Sequence, residues 1–171
     1  RHYRRQRQMC IRDRFYGAPA PVDDHEYWAC LTAVKMQERL AELRTKWQAE
    51  GDRWPEIVHN MQNRIGINTG QLVTGNMGST MRMNYTMMGD TVNLAARLEA
   101  SAKQYGVYIQ VAEETYKACK DKFIWRDLDY VIVMGKTEPA QVFELISEKD
   151  KIPPGYDKLL PAYHKALELY R

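Results

Sequence analysis

The sequence predicts an α+β fold, helices packed on a largely antiparallel sheet, and three observations carry that prediction. Residues 23–51 hold one continuous apolar stripe of helical period. Beyond Gly51 the period changes to short runs rich in Val, Ile, Tyr and Met, the mark of strands. The segments then follow in the order helix, hairpin, strand, helix, strand, helix and two strands, the pattern of a sheet covered by helices.

The first helix rests on Ala29, Ala33, Met36, Leu40, Leu43 and Trp47, which recur at steps of four and three, with Lys, Glu and Arg on the outer face. Asp23 or Asp24 can cap its start and Gly51 can end it. "NRIGINTG" (63–70) and "QLVTGNMG" (71–78) read as two strands meeting at Gly70 in a hairpin, and "MNYTMM" (83–88) as a third strand that leads into a turn at Gly89. A helix runs from Asp90, placed as its N-cap, to Tyr105 and stops at Gly106. "VYIQVA" (107–112) is a strand, "EETYKACK" (113–120) a short helix, and "FIWRDLDYVIVMG" (123–135) and "AQVFELIS" (140–147) are two more strands. After "KIPPG" another helix begins, with a stripe of Leu159, Tyr163, Leu167 and Tyr170 that Pro161 breaks near its start. It reaches Arg171 in mid-pattern, so the native chain is expected to continue.

At 171 residues, 44% hydrophobic and 27% charged, the chain has the size and composition of one cored domain and not of a disordered segment. The longest apolar runs, such as "YVIVM" (130–134), are far too short to span a bilayer, and the basic start is not followed by the apolar stretch of a signal peptide. Three widely spaced cysteines, Cys10, Cys30 and Cys119, fit free thiols in a reducing compartment, with Cys30 and Cys119 as small buried hydrophobes. Net charge is +3, but residues 1–14 carry six Arg and one Asp, so the remaining body is mildly acidic. A nucleic-acid role would rest on that arm alone and is not expected.

The glycines fail the tests for phosphate-cradling loops. Gly70 and Gly75 have the interval of a P-loop, but Asn76 and Met77 stand where it needs Lys and Ser or Thr. These glycines are expected to shape a hairpin and to allow close backbone packing. His2, His25, His59 and His164 lie far apart, without the paired spacing of a zinc site, and no nucleophile signature appears.

Asn93 and Arg97 stand out. Four residues apart, they share one helix face, while Val92, Leu94, Ala95, Ala96 and Leu98 are apolar or small, so the helix is expected to be covered on more than one side. A guanidinium in the first two turns adds a fork of donors to a helix end that already favours anions, and an amide beside it can hold a sugar or phosphate oxygen. An ordinary exposed polar stripe is the alternative that this spacing leaves open.

The wider string, "RIGINTGQLVTGNMGS" and "NYTMMGDTVNLAARLE" followed by "GKTEPAQVFEL", resembles the class III nucleotidyl cyclase catalytic domain, particularly that of the bacterial adenylyl cyclases, from "FYGAP" at Phe15 to about Leu145. The resemblance implies a ferredoxin-like, palm-type core that, in a complete dimeric parent, converts ATP to cyclic AMP and pyrophosphate for intracellular signalling in the cytoplasm. It further implies a homodimer with active sites shared between two domains, and two Mg²⁺ or Mn²⁺ ions held by two aspartates. On the matching motifs Asn93 orients the ribose, Arg97 stabilises charge at the α-phosphate, Thr86 reads the adenine and Arg64 contacts the terminal phosphates.

Two departures qualify this. Met134 stands where many relatives carry a phosphate-contacting lysine, although Lys136 is retained. The family leads into "FYGAP" through a strand whose Asp is a metal ligand; counting back without a gap puts Cys10 there, and Asp13 falls on the opposite strand face. The other metal aspartate would lie upstream, so no metal ligand is assigned in this chain, and it is expected to be inactive by itself. The expected organisation is an unstructured basic segment over 1–14, read as foreign or mis-joined, a partial catalytic domain over 15–147, and a linker with the start of a helix over 148–171. A degenerate domain that only dimerises or binds nucleotide is the alternative reading.

Overall fold

The computed structural model describes residues 13–79, 82–132 and 139–171. Helix α1 (His25–Ala49) starts after Asp24, whose φ of 53° is left-handed and whose side chain makes no capping hydrogen bond. It ends at Glu50, and Gly51 (φ 59°) turns the chain into a 3₁₀ turn over Gly51–Arg53 and the single-turn helix α2 (Glu56–His59). Only the first half of α1 lies on the sheet, burying Cys30, Ala33 and Val34. Met36, expected in the stripe, faces outward. The far half is only partly covered, and there Trp47 packs on Trp54 with ring centroids 5.9 Å apart.

Strands β1 (Ile65–Ile67), β4 (Ile109–Ala112), β5 (Phe123–Ile132) and β6 (Pro139–Glu148) form one sheet in the order β1-β4-β6-β5. β1 is parallel to β4, and the other two pairs are antiparallel. β2 (Val73–Ser79) and β3 (Arg82–Met88) make a separate antiparallel ribbon, with Gly75 opposite Thr86. The hairpin expected at Gly70 is therefore not formed. β1 pairs across the molecule, and the chain folds back only after β2. The physical reason lies in the close approach of β1 to a helix: Gly70 lies in the bend beyond β1, where the chain passes close to Thr91 of that helix instead of reversing into β2.

That helix is α3 (Asp90–Ser101). Its N-cap is Gly89 (φ 145°), whose carbonyl accepts from the N–H groups of Val92 and Asn93; Asp90, expected as the cap, is the first helical residue. The helix expected to run to Tyr105 ends earlier, at Ser101, and a turn over 102–106 carries the chain on to Gly106. At φ 67° Gly106 donates to the Lys103 carbonyl while Val107 donates to that of Ala102, paired bonds of the Schellman kind that close this turn. Helix α4 (Glu113–Cys119) follows β4 directly, and α5 (Tyr156–Tyr170) runs on through Pro161 without burying any residue.

The sheet has two unlike faces. On one, α1 and α4 cover a cluster that includes Val111, Cys119, Phe123, Trp125, Phe143 and Leu145, with Tyr116 stacked on Phe143 at 3.8 Å. On the other, Leu94, Leu98, Ala102, Val107, Leu128 and Val142 form a smaller cluster under α3. Beside it Arg126 lies with its guanidinium 5.2 Å from the Tyr163 ring of α5.

Candidate active site

The mount of α3 decides what its side chains can do. A Cβ on Gly66 would stand 2.1 Å from the Ala95 carbonyl oxygen and 2.5 Å from the Glu99 nitrogen, so β1 is pressed against the helix backbone. A Cβ on Gly70 would meet Thr91 Oγ1 at 2.7 Å. Around that contact Thr91 Oγ1 donates to the Gln71 carbonyl (2.9 Å) and Asn68 Nδ2 donates to the Thr91 carbonyl (3.0 Å). The first turn of α3 is thus clamped by two hydrogen bonds and a glycine contact. At the other end Ser101 Oγ donates to Gln110 Oε1 at 3.2 Å. Sequence reading missed Asn68 and Thr91; short polar residues flanking a glycine were the available signal.

From this mount Leu94 and Leu98 point into the core, and Asn93 and Arg97, each one residue earlier, lie exposed on the outer face beside Ala96. The structure covers α3 on one side only, contrary to the expectation of several, because Ala96 and Ala100 face outward. Their methyl groups leave the surface around the polar pair low and open. Thr86 is half-buried on β3, three residues before the N-cap of α3, a distance of roughly 10 Å along the strand. The ribbon therefore brings Thr86 toward the same end of α3 that carries Asn93.

Arg64 is not gathered with them. Gly66 abuts residues 95–99 and Gly70 abuts Thr91, so β1 and α3 run in opposite directions. Arg64, just before β1, therefore lies beyond the level of Glu99, on the order of 10 Å from Asn93 along the helix axis. Its Nε is buried and has no hydrogen-bond partner among the described residues. Lys136, Met134 and Cys10 lie outside the described residues.

Under the far end of α3 a polar row crosses the sheet, with Gln110 opposite Glu144 and Glu144 opposite Arg126. Arg126 Nε approaches the Glu144 carboxylate to 2.8 Å. Burial pushes the Glu144 carboxyl above its ordinary pKa, and the Arg126 charge pulls it back in part. A cavity of about 210 Å³ between β5 and α5, lined by Asp127, His164, Leu167, Glu168 and Arg171, holds none of the candidate residues. Among the described residues no three His, Cys, Asp or Glu side chains are grouped to hold a metal ion, so these residues do not fit the metal pair that the sequence resemblance implies.

The family model for the adenylate and guanylate cyclase catalytic domain matches residues 10–146. Adenylate cyclase 1 of Rhizobium meliloti is 36% identical over 131 residues, 77% of this chain and 19% of the relative. The terminal-differentiation-specific adenylate cyclase of Dictyostelium discoideum is 32% identical over 167 residues, 93% of this chain and 8% of the relative. The chain thus spans a fifth or less of the length of these curated relatives. The crystal structure of the adenylyl cyclase CyaB from P. aeruginosa superposes with a TM-score of 0.67 at 26% identity, covering 89% of this chain and 82% of the other.

Proposed function

The chain belongs to the adenylate and guanylate cyclase catalytic domain family, and we propose that it contributes to a dimeric adenylyl cyclase that closes ATP to cyclic AMP inside the cell. In that reaction the ribose 3′-oxygen forms a bond to the α-phosphorus while the bond to pyrophosphate breaks. Arg97 donates to the α-phosphate oxygens as charge builds on them, and Asn93 fixes the ribose. Thr86 reads the adenine edge, and Arg64 and Lys136 bind the terminal phosphates. The relatives named adenylate cyclase support the choice of ATP.

The clamped mount of Asn93 and Arg97 is the observation that carries this reading. A donor stabilises a transition state best when it needs no reorganisation, and a helix pinned at Gly66, Gly70 and Thr91 supplies that rigidity. The opposite placement of Arg64 supports a site completed by a second copy, in which Arg64 of one chain faces Asn93 and Arg97 of the other. Val73, Met83, Tyr85 and Met88, all exposed on the β2–β3 ribbon, offer that copy an apolar surface. Because the described residues do not fit the metal pair, the Mg²⁺ or Mn²⁺ expected for the family is assigned no step and no ligand here.

The test joins residues 15–171 to the preceding catalytic segment of a matched relative and measures cyclic AMP made from ATP. Arg97→Ala in that enzyme should lower kcat roughly a hundredfold and leave KM nearly unchanged, the signature of a contact made in the transition state. Unaltered kcat in Arg97→Ala would reduce the pair to a surface stripe.

A further inference from the structure

The ends of β1 and β4 and the first turns of α3 and α4 meet at one end of the main sheet. β1 and β4 are parallel neighbours with Ile67 beside Val111, so residues 68–69 and 112–115 leave the sheet together. Successive side chains of an extended chain point to opposite faces, and the alternation carries on past Ile67 into the bend. Ile67 is buried in the aromatic cluster. Asn68 then turns to the α3 side, where its Nδ2 donates to the Thr91 carbonyl at 3.0 Å. Thr69 turns back to the α4 side, where its hydroxyl lies 2.8 Å from that of Thr115. Two adjacent residues thus hold the first turns of two helices on opposite faces of the sheet.

Thr115 is fully buried, so its hydroxyl needs a partner. A helical threonine can satisfy itself on a carbonyl of the preceding turn of its own chain. That of Thr115 reaches out of its helix to a residue whose neighbours on both sides are fixed to α3. Asn68 holds the Thr91 carbonyl, Gly70 abuts the Thr91 side chain, and the Gln71 carbonyl accepts from Thr91 Oγ1 at 2.9 Å. A valine would match the shape of Thr115 but could not hold the bend.

We infer that Thr69 and Thr115 are positioning residues. Their hydroxyl bond fixes the bend over 68–71, and through it the first turn of α3, so a group on the aromatic face sets where Asn93 and Arg97 stand. Thr115 belongs to α4, on the other face of the sheet from α3, and acts only through the bend. The inference rests on the reading of Asn93 and Arg97 as the catalytic pair, and it extends the machinery for that pair to a helix that carries none of the candidate residues.

Hydrogen exchange of the full 171-residue chain reads the placement without any substrate. In Thr115→Val the amides of Val92 and Asn93, which donate to the Gly89 carbonyl, should exchange roughly tenfold faster, a larger factor than in the β5–β6 ladder. Thr69→Val, a second variant in case the buried substitution folds poorly, should do the same. Thr115→Ser and Thr69→Ser, which keep the hydroxyl, should retain the original rates. The double Val variant should be no faster than the faster single one, since the bond can be lost only once. In the joined enzyme that tests the cyclase reading, Thr115→Val should lower kcat roughly tenfold with KM nearly unchanged, and Thr115→Ser should not. An even acceleration of all amides, a change confined to α4, or Ser variants as fast as the Val variants would each overturn the proposal. So would an unaltered kcat in Thr115→Val beside a lowered one in Arg97→Ala. An unaltered kcat in both would remove the catalytic reading instead, and the exchange rates would then decide the positioning by themselves.

Discussion

The two faces of the main sheet are built to different ends. The face under α1 and α4 is closed by stacked and edge-on aromatic rings, Tyr116, Phe123, Trp125 and Phe143, which fill it to the depth of two helices. The face under α3 is thinner, made of Leu, Val and Ala, and is interrupted by the row Gln110, Glu144 and Arg126. The first face derives its stability from apolar volume. The second derives position from backbone contact, with Gly66 of β1 and Gly70 in the bend beyond it letting α3 approach closely. Large side chains hold a fold together, whereas small ones fix the position of a helix and of whatever its outer side carries.

Four substitutions sharpen that contrast, from the strongest expected effect to the weakest, with Gly75→Ala as a control for the second. Phe143→Ala on the aromatic face should cost about 3–5 kcal/mol, read as the change in urea unfolding free energy, because the ring is buried and stacked on Tyr116. Gly66→Ala should cost about 3 kcal/mol, since the new methyl group meets backbone atoms that cannot swing away; Gly75→Ala, with nothing among the described residues within 4 Å of its Cβ, should stay within about 0.5 kcal/mol. If the two glycines respond alike, α3 is not held by close approach. Asn68→Ala removes one clamp on the first turn of α3 and should cost about 1 kcal/mol, with the loss of hydrogen-exchange protection concentrated in that turn.

The weakest effect depends on pH. The folded-state pKa of Glu144 is raised, chiefly by burial, so the folded chain binds this proton more tightly than the unfolded one. Its contribution favours folding below the ordinary carboxylate pKa and is lost as pH rises through the raised value. Glu144→Gln should therefore flatten that part of the stability–pH curve, measured as urea midpoints across the acidic range. An unchanged slope would mean that Arg126 fully offsets the burial.

What the sequence disclosed follows the range of the interactions involved. The extent of α1 was readable because its stripe is local, yet which side met the sheet was not, and Met36 turned outward while Cys30 and Val34 went in. Pairing of the short strands was misjudged for the same reason. Nothing within 63–78 says that Ile65–Ile67 will lie beside Ile109–Val111, far along the chain. Helical spacing put Asn93 and Arg97 on one face, as found, but the antiparallel run of β1 against α3 separates Arg64 from them, and that is a property of the assembled fold.

Among the described residues the β2–β3 ribbon shares no ladder with the four-stranded sheet. An isolated pair of strands is marginal in water, so its order is borrowed from whatever lies against it: Phe15, whose ring centroid is 6.1 Å from that of Tyr85, and the first turn of α3. In terms of time, the amide protons of Val73–Ser79 and Arg82–Met88 are expected to exchange faster than those of the four-stranded sheet. Thr86 thus sits on the ribbon and Asn93 and Arg97 on the clamped helix, so slower hydrogen exchange is expected around Asn93 and Arg97 than around Thr86.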